Sequence, residues 1–405
     1  MSNSSLSFLC VSFYFKGSDF LKACKAAGNT VFLLTKKDLE HEDWPREAVD
    51  EFFYMEDDSN SPQVFHDIAL GIAHLMKSKK IDRVVALDDF DVEKAAFIRE
   101  QFRIPGMGQT TARYFRDKLA MRMKAEEAGI RIPGFSPLFN DLDITHFLKN
   151  TQGPWLIKPR AEASATGIKK VHSLEEAWEI VHQLADDRHR YLIEQFKPGD
   201  VYHADALSVD GTVIFCRNSK YMNTPFEVAH DGGIFRTHTL EFGSEDDLAL
   251  QKMNTDVMQG FGMQFSASHT EFIKAHEDGK FYFLETSSRV GGAHIAEMVE
   301  ASSGISLWAE WANIEDAMAK GIKYQLPEIR NDYAGILVSL SRFEHPDTSS
   351  FNDEEVVWRM NKAYHIGMIV QSEDQSRIIQ LLDDYAQRVG RDFHASAPAP
   401  DKPSH

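Results

Sequence analysis

The start of the chain alternates apolar runs with a helical pattern. Residues 6–15 form an apolar run typical of a buried strand, and KGSDFLKACKAAG then shows helical spacing up to Gly28. Further apolar runs at 29–35 and 83–89 also predict strands. A strand, a helix and a strand in this order favour a parallel sheet with a right-handed crossover. No GxGxxG pattern follows the first strand, so a dinucleotide-binding fold is not favoured.

The middle of the chain reads as a turn-rich joint, a long helix and a set of strands. RIPGMGQ (103–109) is the joint, and the helical pattern TARYFRDKLAMRMKAEEAG continues from it to Gly129. Further strands are predicted from apolar or alternating runs at 155–159, 191–196, 201–209 and 212–217. The segment 218–239 has few core signals and is predicted to be an irregular connection.

The last third contains a hairpin, helices and a second group of short strands. SHTEFIKA (268–275) and KFYFLETSS (280–288) are predicted to pair, and helical spacing follows through Trp311. Short strands and the helix RIIQLLDDYAQRV come next, and the Pro- and Ser-rich end is predicted to be disordered. These patterns divide the chain into five parts, at 1–112, 113–190, 191–325, 326–392 and 393–405.

Composition and charge narrow the classes of function. The chain has 405 residues and a net charge of -18, which argues against nucleic-acid partners. Its three cysteines are far apart and include no CxxC pair, which suits a reducing compartment and disfavours disulfides or a zinc site. The apolar run at 6–15 is about half the ~20 residues that a membrane span needs. A cytoplasmic location without a membrane partner is therefore predicted.

Two glutamates in the predicted hairpin favour a metal site. A three-residue loop at 277–279, with Gly279 in the left-handed conformation, would place Glu271 directly opposite Glu285. Like charges about 5 Å apart destabilise a strand pair. A bound divalent cation such as Mg²⁺ would reverse the sign of that interaction.

The residues around the second glutamate bear on this interpretation. Alternation along the strand puts Phe281 and Phe283 on the face of Glu285. With apolar neighbours of this kind, the alternative of a fully solvated pair of glutamates is disfavoured. Ser287 and Arg289 continue the same face if the strand persists, so a hydroxyl and a guanidinium are predicted beside the metal site.

A strand lysine and a loop of small residues predict an anion site. Lys158 lies in the apolar strand at 155–159, where a lysine either extends to the surface or faces an anion. The loop AEASATG (161–167) that follows has small side chains, so its backbone N–H groups can approach a phosphate closely. It lacks GxxxxGK[ST] and is not a Walker A loop. Lys118 lies in a helix rich in both charges, where an ordinary surface lysine is the alternative.

The order of these features resembles the ATP-grasp superfamily. A lysine after a turn, a strand lysine, a small-residue loop, E-x-F before a Pro-Gly turn, a paired-glutamate hairpin and E-x-x-x-R-x-G-G follow one another within residues 5–320. RIPGMGQTTARYFRDKLAMR and ETSSRVGGAHIAEMVE look most like carboxylate–amine ligases of the L-amino-acid ligase type. The resemblance implies an α/β fold with α+β elements: an N-terminal parallel-sheet domain, a lid subdomain, a catalytic subdomain and a small C-terminal subdomain.

The resemblance also implies how the nucleotide would be bound. Lys118 and Lys158 would contact the phosphates of ATP beneath a lid at 163–167. Glu194 and Phe196 would hold the adenine at the hinge, partly through backbone groups. The lid residues expected to contact the nucleotide are Ser164, Ala165, Thr166 and Gly167.

The metal and ribose contacts follow from the same resemblance, with two departures from the family pattern. Glu271 and Glu285 would bind Mg²⁺ or Mn²⁺. Ser287 stands where the family often has an asparagine as third metal ligand, and it is the expected replacement. Val201 stands where the family often has a glutamate for the ribose hydroxyls, and the neighbouring Asp200 is the candidate for that contact.

Four residues are expected at the carboxylate and amine substrates. Arg289 would stabilise the transferring phosphate and the acyl-phosphate oxyanion, and with Lys158 it forms the implied catalytic pair. Gly291 and Gly292 either let the backbone approach the acyl group or form a turn that needs a positive φ. Lys220 is a candidate binder of the substrate carboxylate, and a solvated loop lysine is the alternative.

The resemblance implies an enzyme, namely an ATP-dependent carboxylate–amine ligase. It would use ATP and Mg²⁺ to activate a small carboxylate, with an amino acid as the acyl donor, through an acyl phosphate, and it would release ADP and phosphate. One alternative is a biotin-carboxylase-like enzyme that phosphorylates bicarbonate, although the chain has no AMKM-type biotin acceptor. The other is a non-catalytic ATP-binding protein, which the departures from the family pattern at Ser287 and Val201 favour. A homodimer is compatible with the family.

Overall fold

Three β-sheets organise the computed structural model. It describes residues 5–56, 63–162, 166–225, 228 and 232–396. No helix in this described part is both long and apolar enough to cross a membrane.

The first sheet is the parallel sheet that the opening pattern predicts. Its strands are β1 (Ser7–Val11), β2 (Thr30–Lys36), β3 (Glu51–Met55) and β4 (Arg83–Ala86), in the order β3-β2-β1-β4. Its helices are α1 (Ser18–Ala26), α2 (Val64–Leu75) and α3 (Val92–Phe102), and short 3₁₀ helices lie at Lys37–Leu39, Arg46–Ala48 and Asp89–Asp91. Alternate residues of β1 enter different apolar clusters, with Phe8 and Cys10 in one and Leu9 and Val11 in the other. Both faces of the sheet are therefore buried, as is usual for parallel strands.

The predicted long helix after the joint is divided in two. The structure has α4 (Gln109–Arg113) and α5 (Lys118–Glu127) instead of one continuous helix. The break occurs because the Asp117 carboxylate accepts hydrogen bonds from the backbone N–H groups of Leu119 and Ala120 and so caps a new helix. Lys118 consequently stands at the first turn of α5, where it can turn toward the lid.

The second sheet is the lid sheet. It consists of β5 (Phe135–Pro137), β6 (Trp155–Pro159), β7 (Lys169–Val171) and β8 (Tyr191–Gln195), which pair antiparallel in the order β5-β8-β6-β7. Its helices are α6 (Asp141–Asn150) and α7 (Leu174–Leu184), with a 3₁₀ helix at Ala185–Arg190. Ile157 and Ile193 anchor an apolar core beneath it. The strand that carries Glu194 thus pairs with the strand that carries Lys158.

The third sheet has eight antiparallel strands in the order β13-β12-β9-β10-β11-β14-β16-β15. Their bounds are β9 (Gly199–Val209), β10 (Thr212–Tyr221), β11 (Phe235–Thr239), β12 (Ser266–Ala275), β13 (Phe281–Ser287), β14 (Tyr333–Leu340), β15 (Val356–Arg359) and β16 (His365–Ser372). The helices are α8 (Glu245–Phe261), α9 (Ile295–Ser303), α10 (Leu307–Lys320) and α11 (Gln375–Asp392). The strands after residue 326 continue this sheet and do not form one of their own.

The hairpin of β12 and β13 pairs its two glutamates, but by a different route from the predicted one. The connecting loop is 276–279, one residue longer than predicted, because the Ala275 N–H donates to the Lys280 carbonyl. That register alone would put Leu284 opposite Glu271. A β-bulge at Leu284 restores the pairing of Glu271 with Glu285.

The bulge also changes which side chains share a face. Phe283 packs in the core against Phe261 of α8, with ring centroids 5.5 Å apart. Glu285 lines a cavity on the other side of the sheet. The prediction that Phe281 and Phe283 share the face of Glu285 is therefore wrong, because the extra residue shifts the alternation by one position.

Candidate active site

A cavity of about 790 Å³ lies between the lid sheet and the eight-stranded sheet. Ten of the predicted site residues line it: Lys118, Lys158, Thr166, Glu194, Phe196, Glu271, Glu285, Ser287, Arg289 and Gly292. Ser164 and Ala165 fall outside the described residues. The remaining four, Gly167, Asp200, Lys220 and Gly291, are not among the lining residues.

Lys118 connects the first turn of α5 to the glutamate hairpin. Its ammonium lies 2.7 Å from Glu285 Oε2 and donates at 2.7 Å to the carbonyl of Glu162, at the start of the lid loop. Burial on its own raises the pKa of the Glu285 carboxyl, but the Lys118 ammonium outweighs it and holds that pKa well below its usual range. Glu285 is thus a carboxylate anion with the Lys118 ammonium beside it.

Lys158 is held by a second buried carboxylate. Its ammonium contacts Glu194 Oε1, while the Arg122 guanidinium donates from Nε to Glu194 Oε2 at 2.9 Å. Burial lowers the pKa of Lys158 to about 8, although Glu194 opposes the shift. The cations Arg122 and Lys158 keep the pKa of Glu194 below its usual value against the effect of burial. The Glu194 side chain therefore positions a lysine in the cavity.

The hinge after β8 offers other groups to a nucleotide. The Phe196 ring lines the cavity and lies 3.7 Å from the ammonium of Lys170. Its backbone N–H is already used, donating to the Pro154 carbonyl at 3.0 Å. Thr166 lines the cavity from the lid, and Gly167 has a φ of 71°, which a glycine adopts at little cost.

Glu271 has neutral and cationic neighbours of its own. The Tyr221 hydroxyl donates to Glu271 Oε1 at 2.9 Å, and His269 Nε2 lies 3.8 Å from the same oxygen. Glu271 and Glu285 stand opposite one another on the cavity wall. Two carboxylates that face each other across a strand pair, with a lysine on only one of them, fit a divalent cation.

Ser287 is engaged by a residue that the sequence patterns did not single out. Its hydroxyl donates to Asp89 Oδ1 at 2.8 Å, and the other oxygen of Asp89 accepts from Arg116 at 3.1 Å. Asp89 follows β4 of the parallel sheet and also lines the cavity. The pair of aspartates at the carboxyl end of a parallel strand was a usable signal, because ligand sites gather at such ends.

Arg289 follows β13 and enters the cavity. It donates from one terminal nitrogen to the Val290 carbonyl at 2.8 Å, and its buried Nε has no partner within the described residues. Burial raises the pKa of the nearby Asp88 carboxyl, but Lys16 and Arg289 outweigh this effect and lower it. The guanidinium thus keeps donors available for an anion in the cavity.

The two adjacent glycines differ in their surroundings. A Cβ on Gly291 would lie 2.9 Å from Asp205 Oδ1 and 2.9 Å from His269 Nδ1. A Cβ on Gly292 would meet nothing within 4 Å, and Gly292 lines the cavity. Neither glycine has a positive φ, so the turn alternative does not apply. Gly291 makes room for a buried polar pair, a role that is invisible in the sequence.

That polar pair belongs to a chain of hydrogen bonds behind the glutamates. Asp205 contacts His203 Nδ1 at 2.6 Å and His269 Nδ1 at 2.8 Å, and His203 Nε2 contacts the Thr237 hydroxyl at 2.8 Å. Burial on its own lowers the pKa of His269, but the Asp205 carboxylate outweighs it and raises that pKa to about 9. A charged imidazole therefore lies beside Glu271.

Two predicted contacts face away from the cavity. Lys220 is in β10 and not in an irregular connection, and its ammonium lies 2.8 Å from Asp200 Oδ2. The same side carries Lys274, whose ammonium lies 2.6 Å from Asp246 of α8. Because alternate residues of a strand point to opposite faces, Tyr221 and Val201 line the cavity instead. Neither Asp200, the predicted ribose ligand, nor Lys220, the predicted substrate ligand, is among the residues that line the cavity.

Comparisons with known proteins agree with this architecture. No family model matches the chain. The chain is 27% identical over 268 residues to an L-arginine-specific L-amino acid ligase of Bacillus subtilis. That match covers 64% of this chain and 63% of the relative, so it spans less than two thirds of the relative's length.

Solved structures match nearly the whole chain. An L-amino acid ligase from Bacillus licheniformis has a TM-score of 0.74 and 19% identity, covering 97% of this chain and 99% of that one. The biotin carboxylase domain of a Hydrogenobacter thermophilus 2-oxoglutarate carboxylase, described in complex with MgADP, ADP and bicarbonate, has a TM-score of 0.70 and 15% identity, covering 96% and 90%. The ATP-grasp fold that the motif order indicated is confirmed, and the chain is similar in sequence to an amino-acid ligase.

Proposed function

We propose that this ATP-grasp chain is an ATP-dependent ligase that joins the carboxylate of an amino acid to an amine, with release of ADP and phosphate. One observation carries the proposal. Two opposed carboxylates, two buried lysines and an arginine with free donors converge on one cavity: Glu271, Glu285, Lys118, Lys158 and Arg289. Phosphoryl transfer asks a protein mainly for positioning and charge neutralisation, and this set supplies both.

The cavity can be divided between the nucleotide and the acyl substrate. Apolar side chains near the hinge, including Phe196, Val201 and Leu284, suit the adenine. Lys118 and Lys158 would then lie along the phosphates, where Lys118 would exchange its contact with Glu285 for a phosphate oxygen. Thr166 would face the same phosphates from the lid.

Glu271 and Glu285 would hold the divalent cation. Mg²⁺ bound there would neutralise charge on the phosphate oxygens. Tyr221 and His269 would orient Glu271 by the contacts that they make with it. Ser287 would act through Asp89, because its hydroxyl proton is already donated to that carboxylate.

Arg289 would act at the reacting centre. In the first step an oxygen of the substrate carboxylate attacks the γ-phosphorus of ATP, giving an acyl phosphate and ADP. In the second step the amine nitrogen attacks the acyl carbon, phosphate leaves and the nitrogen loses a proton. Arg289 would stabilise the phosphate in both steps, and a closed lid would keep water from hydrolysing the acyl phosphate.

Incubating the protein with ATP, Mg²⁺ and pairs of amino acids tests this proposal. ADP and phosphate should appear in equal amounts, with a dipeptide of matching mass, and the Arg289→Ala variant should lose all three. Amino-acid-independent ADP release that bicarbonate stimulates would favour the biotin-carboxylase-like alternative, whose relatives share the fold. ATP binding without turnover in any mixture would favour a non-catalytic protein.

A further inference from the structure

A second cavity of about 460 Å³ lies on the other side of the active-site wall. It is bounded by β4 and α3 of the parallel-sheet domain, by α10 and by the start of β12. Ser288 lines it, while its neighbours Ser287 and Arg289 line the larger cavity. Consecutive residues of this segment thus line the two cavities alternately.

Three charged side chains face this second cavity from different elements. Arg83 comes from β4, Arg99 from α3 and Glu315 from α10. Arg83 is 7% exposed and Glu315 is 8% exposed. The fourth charged residue of the lining, Asp210, is exposed to solvent. Isolated charges are costly to bury, so the group of three calls for an explanation.

These three charges are not paired with one another. Arg83 donates to the Pro105 carbonyl at 3.3 Å, and its buried Nε has no partner within the described residues. Arg99 donates from Nε to the Ala95 carbonyl at 3.2 Å. Glu315 accepts only from the Trp311 indole, at 3.4 Å, and the described part of the chain contains no ion pair between it and either arginine. Most of the five donors of each guanidinium thus remain available.

The local backbone makes room for this arrangement. Gly106 has a φ of 141°, and a Cβ there would lie 2.7 Å from Arg99 Cδ. Burial lowers the pKa of Arg99 to about 10, and burial raises the pKa of Glu315 although both arginines oppose that shift. A ligand with complementary charges would remove both penalties.

We propose that this second cavity is a binding site for a zwitterionic amino acid with an apolar side chain. The ligand carboxylate would lie between the guanidiniums of Arg83 and Arg99, which suit a carboxylate because of their planar donors. Its ammonium would lie at Glu315, beside the Trp311 indole that donates to this carboxylate. Phe265, Met107 and Met318 line the same cavity and would contact the apolar side chain. The volume is within the range of small-molecule sites.

Titration of the full-length protein with L-phenylalanine, without ATP, tests this site by calorimetry and tryptophan fluorescence. Saturable binding should persist in Arg289→Ala, which alters the larger cavity. It should weaken at least tenfold in Glu315→Gln and in Arg99→Gln. Two analogues that lack one charge, 3-phenylpropanoate and 2-phenylethylamine, should each bind at least tenfold more weakly than L-phenylalanine.

Three results would overturn the proposal. The first is no saturable binding of L-phenylalanine, L-leucine or L-methionine to the wild type. The second is binding that Arg289→Ala abolishes and Glu315→Gln leaves intact, since that would place the amino acid in the larger cavity alone. The third is equal affinity for 3-phenylpropanoate, which would mean a simple anion site. Glu315→Gln is nearly isosteric, and unchanged circular dichroism and thermal midpoint would confirm that it folds.

Discussion

The two faces of the eight-stranded sheet carry similar charged residues in different states. On the cavity face, Glu271 and Glu285 oppose each other, and Lys118 serves only one of them. On the α8 face, Lys220 pairs with Asp200, and Lys274 with Asp246, so each charge has its own partner. Within the described residues Glu271 has no lysine or arginine partner of its own on the first face, whereas on the second face each of these charges is paired.

This difference teaches how a functional face can be recognised. A surface ion pair contributes little and has no need of a ligand. Two like charges directly opposed on a strand pair are destabilising unless a further charge neutralises them. The cavity face therefore predicts a ligand, and the α8 face predicts none, although β10 supplies a residue to each through its neighbours Lys220 and Tyr221.

Removing the Arg289 guanidinium from the cavity face should have the largest effect. In Arg289→Ala the transferring phosphate loses a preorganised donor, so kcat should fall by about a hundredfold to a thousandfold. Arg289→Lys keeps the charge and should recover part of the loss. Steady-state ADP release at saturating ATP measures both variants, and a loss of less than tenfold in Arg289→Ala would contradict the assignment.

Alanine substitutions at Gly291 and Gly292 test whether the Asp205–His269 pair supports the cavity wall. Gly291→Ala forces a Cβ against Asp205 and His269, which should destabilise the protein by about 1–3 kcal/mol. Displacing His269 should also raise the Mg²⁺ concentration for half-maximal activity by roughly tenfold, since such supporting contacts tune metal affinity.

Gly292→Ala is the matched control, because its Cβ would meet nothing within 4 Å. It should keep the denaturation midpoint and the Mg²⁺ dependence of the wild type. Equal shifts in the two alanine variants would show that the buried Asp205–His269 pair does not support the cavity wall.

The pKa of Lys158 predicts an alkaline limit to nucleotide binding. Burial lowers that pKa to about 8, so the ammonium loses its proton as the pH rises through this value. The kcat/KM for ATP reports the free enzyme and should be level below pH 8, then fall by about tenfold per pH unit.

A change of side chain distinguishes Lys158 from other titrating groups. In Lys158→Arg the guanidinium keeps its proton at much higher pH, so the decline should move beyond about pH 9. An unchanged profile in this variant would assign the alkaline limit to another group.

Local sequence patterns predicted the features that depend on residues close together in the chain. The β-α-β opening and the strand lysine could be predicted, because neighbouring residues determine them. The pairing of Glu271 with Glu285 was predicted from a loop that is one residue too short, and the bulge at Leu284 produces it instead. The bulge at Leu284 could not be predicted, because it compensates for the loop length at the other end of the hairpin. Lys118 was placed inside a long helix because the capping by Asp117 looked like helix interior.

Other features depend on contacts between distant segments. Asp89 meets Ser287 across 198 positions of the chain, and Gly291 meets Asp205 in another strand. No spacing rule connects such residues. Lys220 was predicted to lie in an irregular connection, but β10 continues four residues beyond the predicted end at residue 217. Alternation along the strand then determines the face of the sheet on which its side chain lies.

The smallest effect is expected on the balanced face. Lys220→Ala removes a partly exposed ion pair with Asp200, so stability should change by about 0.2–1 kcal/mol and kcat/KM for every substrate should stay within about twofold of wild type. The next residue in the strand is Tyr221, and Tyr221→Phe removes the hydroxyl that donates to Glu271. This variant should need a higher Mg²⁺ concentration for half-maximal activity and should leave the α8 face unchanged. Steady-state kinetics at varied Mg²⁺ compares the pair directly. A fall of more than tenfold in kcat/KM in Lys220→Ala alone would indicate that this lysine contacts the substrate, because loss of a partly exposed ion pair cannot account for an effect of that size.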